Sequence, residues 1–197
     1  MHIRFLGVLC AAVLLTVTGA VAAPGNRAVQ QQHQGGGPGY NPFSNFLAMF
    51  TAVPRTTVEF RTNHAPGTII VRTSERRLYL VTGRGQALRY GIGVGRDGFT
   101  WSGVETVTRK AEWPDWTPPP EMLRRRPDLP RHMRGGPDNP MGARALYLGD
   151  TMYRIHGSNE PHTIGTATSS GCIRMTNDDI IDLYSRVRVG ATVIVQR

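Results

Sequence analysis

Beyond about residue 53 the chain alternates apolar and polar positions in short runs: TTVEF, GTIIVRT, RRLYLVT, ALRYGIGVG, VETVTRKAEW, RALYLG, TMYRIHG and TVIVQR. Each has the length and the β-branched or aromatic content of a strand, and Gly-rich breaks such as TGRGQ separate neighbours as hairpin turns do. The pattern predicts a mainly β domain. Two segments depart from it. The stretch WPDWTPPPEMLRRRPDLPRHMRGGPDNPM, Trp113 to Met141, holds too much proline for a central strand and is too long for a simple connection. It reads as a proline-rich lid or binding loop with a helical turn around Glu121 to Arg126. The segment TNDDIIDLYSRV offers Thr176 or Asn177 as a cap and places Asp178 and Asp179 at the positive end of a helix. Ile180, Leu183 and Tyr184 share one face, so a short helix is expected there.

The beginning of the chain has another texture. MHIRFLGVLCAAVLLTVTGAVAA carries a basic start at Arg4, an apolar run from Phe5 to Val17 and small residues at its close. It predicts a cleaved secretory signal over 1–23, because the run falls short of the ~20 residues that a membrane helix wants. No stable membrane span is then expected after cleavage. Bulky Leu9 before Cys10 argues against a lipid anchor there. Residues 24–55, rich in Gln, Gly and Pro, read as a flexible tether, and 56–197 as the folded domain. Export to the periplasm or cell envelope of a bacterium follows as an expectation.

A hydrophobic content of 40% is enough for a real core, and the formal charge of +9 points to an anionic partner. Nucleic acid suits an exported chain poorly, and the arginines are scattered through strand-like runs instead of gathered on one helix. An anionic envelope polymer fits better, with ordinary solubility charge as the alternative. If Cys10 leaves with the signal, Cys172 remains as a single thiol, either a small buried hydrophobe or a reactive group. GVGRDG, Gly93 to Gly98, matches a dinucleotide fingerprint letter by letter, but no helical pattern follows, so it reads as a β-turn. The sequence offers no Gly-Lys-Ser/Thr loop, zinc-type cysteine pair or His-Glu-x-x-His helix, so no metal and no cofactor are expected.

The stretch that carries chemistry is HGSNEPHTIGTATSSGC. His156 closes an alternating run, where a side chain can stand at the rim of a sheet. Cys172 sits in a Ser/Gly turn just before the expected helix. An imidazole beside a thiol can take its proton and leave a nucleophilic thiolate for acyl transfer. Small Gly171 lets a carbonyl approach, and the N–H groups of Gly171 and Cys172 can receive an oxyanion. Arg174 would favour the thiolate and could hold a substrate carboxylate; alternatively it pairs with Asp178 or Asp179.

HGSNEPHTIG followed by SSGCIRM and a helix ending DLY resembles the L,D-transpeptidase (YkuD) catalytic domain, in particular a periplasmic branch with an HGTNEP-like segment. The upstream stretches ERRLYLV, GIGVGRDGFTWSG, TRKAEWPDWTPPPEM and GGPDNPMGARALYLG are similar to the same branch, so the resemblance runs from about Thr68 to Arg197. It implies a β-sandwich or barrel with a short helix after the cysteine. It implies a cysteine enzyme acting on peptidoglycan stem peptides, attacking the L-centre of the third residue and releasing D-alanine. The thioester would pass to an amine of a second stem as a 3,3 cross-link, to water in an L,D-carboxypeptidase, or to a lysine of an envelope lipoprotein. By position it makes Cys172 the nucleophile, His156 the base and Gly157 the residue that orients the base, with Ser170, Gly171 and Arg174 shaping the turn. Ser170 stands where many members have histidine, so the base assignment rests on His156. His162, where tryptophan is common, would be a second imidazole near the pocket. Trp113 and Trp116 would be lid contacts to sugar or stem peptide, or anchors of the loop to the core. A wall-binding module that keeps the fold without its chemistry is the rival from another class.

Overall fold

The computed structural model describes residues 53–197; the expected signal and nearly all of the tether lie outside the described residues. The elements, in chain order, are β1 (Thr56–Glu59), β2 (Ile69–Arg72), β3 (Arg77–Gly83), β4 (Gln86–Gly91), β5 (Val94–Gly95), β6 (Gly103–Glu112), α1 (Pro120–Arg125), β7 (Arg144–Leu148), β8 (Arg154–His156), a short 3-10 helix (Pro161–Thr163), β9 (Ala167–Ser169), β10 (Ile173–Arg174), α2 (Asn177–Arg186) and β11 (Thr192–Gln196). The mainly β expectation is met, and each of the apolar runs contains a strand. The short β9 and β10 escaped it, because a few residues inside a Ser/Thr/Gly stretch carry no periodicity. GVGRDG supplies β5 and then a turn in which the Phe99 N–H donates to Arg96 O at 2.9 Å, as expected of a β-turn.

Nine strands form one mixed sheet in the order β1-β4-β3-β2-β11-β6-β7-β8-β10, and β5 pairs with β9 beside it. Pairing is antiparallel except for β2 with β11, β8 with β10, and β5 with β9. The sheet packs around a main core, with a second, smaller apolar cluster of Phe60, Ile70, Tyr79, Val81 and Ala87. Ile69, Leu78, Tyr90 and Val195 from one half meet Leu146, Ile155 and Ile173 from the other. Strand β6 serves both halves, pairing with β11 along Gly103–Thr106 and with β7 along Val107–Glu112. Reciprocal bonds between Gly93 and Arg174, at 2.8 and 2.9 Å, tie the chain after β4 to β10 and help close the fold.

The helix after the cysteine forms as its sequence dictates. Thr176 caps it by accepting from the Asp179 N–H at 3.2 Å. Ile180 and Leu183 are fully buried against the sheet, with Tyr184 packed at their edge. At the other end Lys110 of β6 donates to the carbonyls of Tyr184 and Val187, both at 2.6 Å, so a charged side chain satisfies the orphan acceptors there. Contacts with the domain begin before the expected boundary at residue 56. The Arg55 guanidinium lies 3.4 Å from Asp179 and 3.6 Å from Asp182 on α2.

Loss of the cap by Thr176→Ala is expected to cost about 1 kcal/mol. The midpoint in thermal denaturation should therefore fall by roughly 3 °C.

Candidate active site

Strands β8 and β10 run parallel in the register Ile155 to Ile173 and His156 to Arg174. Side chains alternate along a strand, so this register sends Ile155 and Ile173 into the core and gives Arg154, His156, Cys172 and Arg174 the opposite face. All four line a single cleft of about 480 Å³. Imidazole and thiol are therefore brought to the same cleft by two backbone rungs.

His156 is buried at 6% exposure, and its Nδ1 lies 2.6 Å from the carbonyl oxygen of Gly157. A carbonyl only accepts, so Nδ1 carries the proton and Nε2 is left as the basic nitrogen. Gly157 fits this place because its own N–H donates to Arg144 O at 3.0 Å and a Cβ there would lie 2.3 Å from Asn177 Oδ1. Asn177 in turn accepts from the Ala143 N–H at 2.9 Å, so the start of α2 is locked to the strand that flanks the histidine.

The turn before the thiol is held from both sides. Ser169 Oγ donates to the Cys172 carbonyl at 2.6 Å and accepts from the Gly171 N–H at 3.2 Å. Gly171 has φ +108, and a Cβ there would come within 2.7 Å of Tyr153. Tyr153 stacks on Trp101 with ring centroids 4.4 Å apart, and the Trp101 Nε1–H donates to Gly171 O at 2.9 Å. The expectation that the Gly171 N–H awaits an oxyanion is corrected here, since Ser169 already engages it. The N–H groups of Ser170 and Cys172 have no acceptor among the described residues.

Burial governs the charge state. It lowers the His156 pKa to about 4, with Arg174 and Arg154 adding repulsion of the imidazolium, against opposition from the Gly157 and Met141 carbonyls. Burial also pushes the Cys172 thiol up, although Arg154, through its guanidinium and its backbone N–H, and Arg174 both favour the thiolate. The thiol faces Met152 O at 3.7 Å. At rest, then, the pair is a neutral thiol and a neutral imidazole. Arg174 does not pair with Asp178 or Asp179: it reaches Thr168 and lies 3.8 Å from Glu160.

The proline-rich stretch forms one wall of the cleft through Trp116, Pro118, α1 and Met141. Its organiser is Asn139, only 1% exposed, whose Nδ2 donates to Pro114 O and Met133 O at 3.2 Å and to Arg134 O at 2.9 Å. Its Oδ1 accepts from the Met141 N–H at 2.8 Å. Of the two expected lid tryptophans, Trp116 lines the cleft. Trp113 does not: it sits at φ +41, 42% exposed, with Gly135 pressed against its carbonyl. His162 is exposed and also lies off the cleft. Asn139, Ser169, Trp101 and Arg154 were not singled out from sequence. The N-P after Gly-Pro-Asp was a turn signal for Asn139, while the others become visible only through contact.

The structure thus sets a thiol, an imidazole and two arginines along one cleft of a mixed sheet. The chain belongs to the L,D-transpeptidase catalytic domain family (YkuD), whose model matches residues 66–195; this is a family of cysteine-dependent acyltransferases. It is 42% identical over 134 residues to the Escherichia coli protein named probable L,D-transpeptidase ErfK/SrfK, a match covering 64% of this chain and 42% of that one. The chain thus spans about two fifths of the length of that curated relative. The catalytic domain of the Enterococcus faecium L,D-transpeptidase has the same fold, with a TM-score of 0.53 at 20% identity over 68% of this chain and 100% of that one. A Brucella melitensis structure called a probable carnitine operon oxidoreductase is 45% identical, with a TM-score of 0.50, over 73% of this chain and 94% of that one.

Two outcomes are expected. The rate of Cys172 alkylation by iodoacetamide should rise to a midpoint above the usual thiol pKa of about 8.5; a midpoint near pH 6 would reveal a resting thiolate–imidazolium pair. Stability should fall as pH drops from about 6.5 to about 4, because the unfolded chain there binds a proton that buried His156 refuses. The slope of denaturation free energy against pH in that window should shrink in His156→Gln.

Proposed function

We propose that this protein is a peptidoglycan L,D-transpeptidase that joins stem peptides by 3,3 cross-links through a thioester on Cys172. The observation that carries the reading is the shared cleft face of Cys172 and His156, with the proton of the imidazole fixed on Nδ1 by the Gly157 carbonyl. Nε2 is then the acceptor for the thiol proton as sulfur attacks the carbonyl of the third stem residue. The C–S bond forms, and the Ser170 and Cys172 N–H groups receive the oxyanion. The C–N bond to the terminal D-alanine breaks, and the proton held at Nε2 passes to the departing amine. An amine of a second stem then attacks the thioester, gives up a proton to Nε2 and restores the thiol. Export by the segment 1–23 would bring the domain to its substrate, and its positive charge suits a polymer rich in carboxylates.

The same acyl-enzyme supports hydrolysis, as an L,D-carboxypeptidase, or transfer to a lysine of an envelope lipoprotein. The test is mass spectrometry of a disaccharide-tetrapeptide after incubation with the protein and with Cys172→Ala. D-alanine release with a cross-linked dimer is expected, reduced on the order of 10⁴-fold or more in the variant. Tripeptide without dimer would assign the carboxypeptidase or a protein acceptor. Absence of both products and of an acyl adduct on Cys172 would leave a wall-binding module.

A further inference from the structure

Arg154 differs from the other arginine on the floor of the cleft. Arg174 has Glu160 and Thr168 as partners. Arg154 makes no side-chain hydrogen bond and no ion pair among the described residues; its Nε, like that of Arg174, is closed off from solvent without a partner. A guanidinium whose donor fork is unused on a cleft floor is a site for a planar anion. Its support is aromatic. Arg109, Tyr147 and Arg154 stand in register across β6, β7 and β8, with guanidinium carbons 3.5 and 5.3 Å from the centre of the Tyr147 ring. Extended one strand further, that row ends at Cys172.

We propose that Arg154 binds the C-terminal carboxylate of the residue being released, so that the enzyme acts on a bond only when a single residue with a free C-terminus follows it. The inference rests on the acyl-transfer reading above. Arg154 is the side chain beside Cys172 in its row, so the carboxylate it takes must lie close to the attacked carbonyl. Only an amide nitrogen and one carbon separate the C-terminal carboxylate from that carbonyl. A carboxylate on the third residue's side chain hangs at the end of a multi-carbon arm. Arg174, which already has a carboxylate and a hydroxyl, is left to position the strand and the loop that carries Glu160.

The test uses the thiol itself and then peptides. Iodoacetate and iodoacetamide alkylate Cys172 at rates whose ratio cancels any change in thiol pKa. Arg154→Gln is expected to lower the iodoacetate-to-iodoacetamide ratio about 10-fold, and Arg174→Gln to lower it less. An unchanged ratio in Arg154→Gln, or a larger drop in Arg174→Gln, overturns the assignment. Should Arg154→Gln lose its cooperative thermal transition, Tyr147→Leu, which removes the aromatic support, is expected to lower the ratio about 3-fold, and no change would overturn it.

With peptides, the wild-type protein should release the last residue of a free-acid tetrapeptide. It should lose at least about 10-fold in kcat/KM on the C-terminal amide, and Arg154→Gln should abolish that preference. Equal turnover of acid and amide by the wild type, or a loss confined to a peptide amidated on the third residue's side chain, overturns it. A shifted alkylation ratio with no peptide turned over would sink the acyl-transfer reading while leaving Arg154 as an anion site.

Discussion

The parallel pairing of β8 with β10 decides what the cleft contains, because side chains on a strand alternate with a period of two. With Ile155 opposite Ile173 and His156 opposite Arg174, the two isoleucines enter the core and four polar side chains face outward together. A slip of β10 by one residue would turn its charged side chain toward the core and expose Ile173. The register is therefore enforced by apolar burial behind the site, at 0% exposure for Ile155 and 2% for Ile173. It is enforced again by the backbone, through the Met175 N–H on His156 O and the paired bonds between Gly93 and Arg174. Chemistry on one face is held in place by hydrophobicity on the other.

Around that constraint the electrostatics favour a quiet resting state. The enclosure that positions His156 also keeps it neutral, and the enclosure of Cys172 keeps its proton on sulfur. The two arginines act against each half of the pair in opposite senses, repelling an imidazolium and attracting a thiolate. A proton transfer that is uphill in the free protein becomes easier once negative charge can move from sulfur onto a substrate oxygen. Under the proposed function, the arrangement would couple nucleophile formation to the arrival of an acyl donor.

Much of this was legible in the sequence, and the reasons divide cleanly. Strands such as RRLYLVT and TVIVQR announce themselves by composition, and α2 by a capping threonine, two aspartates and an apolar face. His156 and Cys172 stood out because a single thiol beside a Ser/Gly turn is chemically unusual, and the family resemblance matched them to known positions. What stayed hidden depended on partners distant in sequence. Asn139 looks like a loop asparagine until its amide is seen among Pro114, Met133 and Arg134. Arg174 reads either as a substrate-carboxylate arginine or as a partner for the aspartates that follow it, and β10 turns it toward Glu160 and away from those aspartates. Trp113 and Trp116 look equivalent, and only the positive φ at Trp113 and the backbone pairing of Trp116 with Met133 separate them.

The place of β11 has a consequence for the order in which the molecule can come into being. This strand, Thr192–Gln196, lies between β2 and β6, joining an N-terminal meander to the half-sheet that bears the cleft. Its parallel partner β2 precedes it by more than a hundred residues, so the contact is among the least local in the chain. During synthesis the nine-stranded sheet cannot be completed until residue 196 has been made. Until then only the β5–β9 pair and the Gly93–Arg174 bonds are available to join the meander to the cleft-bearing strands. The domain is thus assembled by its keystone, and the sheet of a growing chain stays open for as long as the keystone is missing.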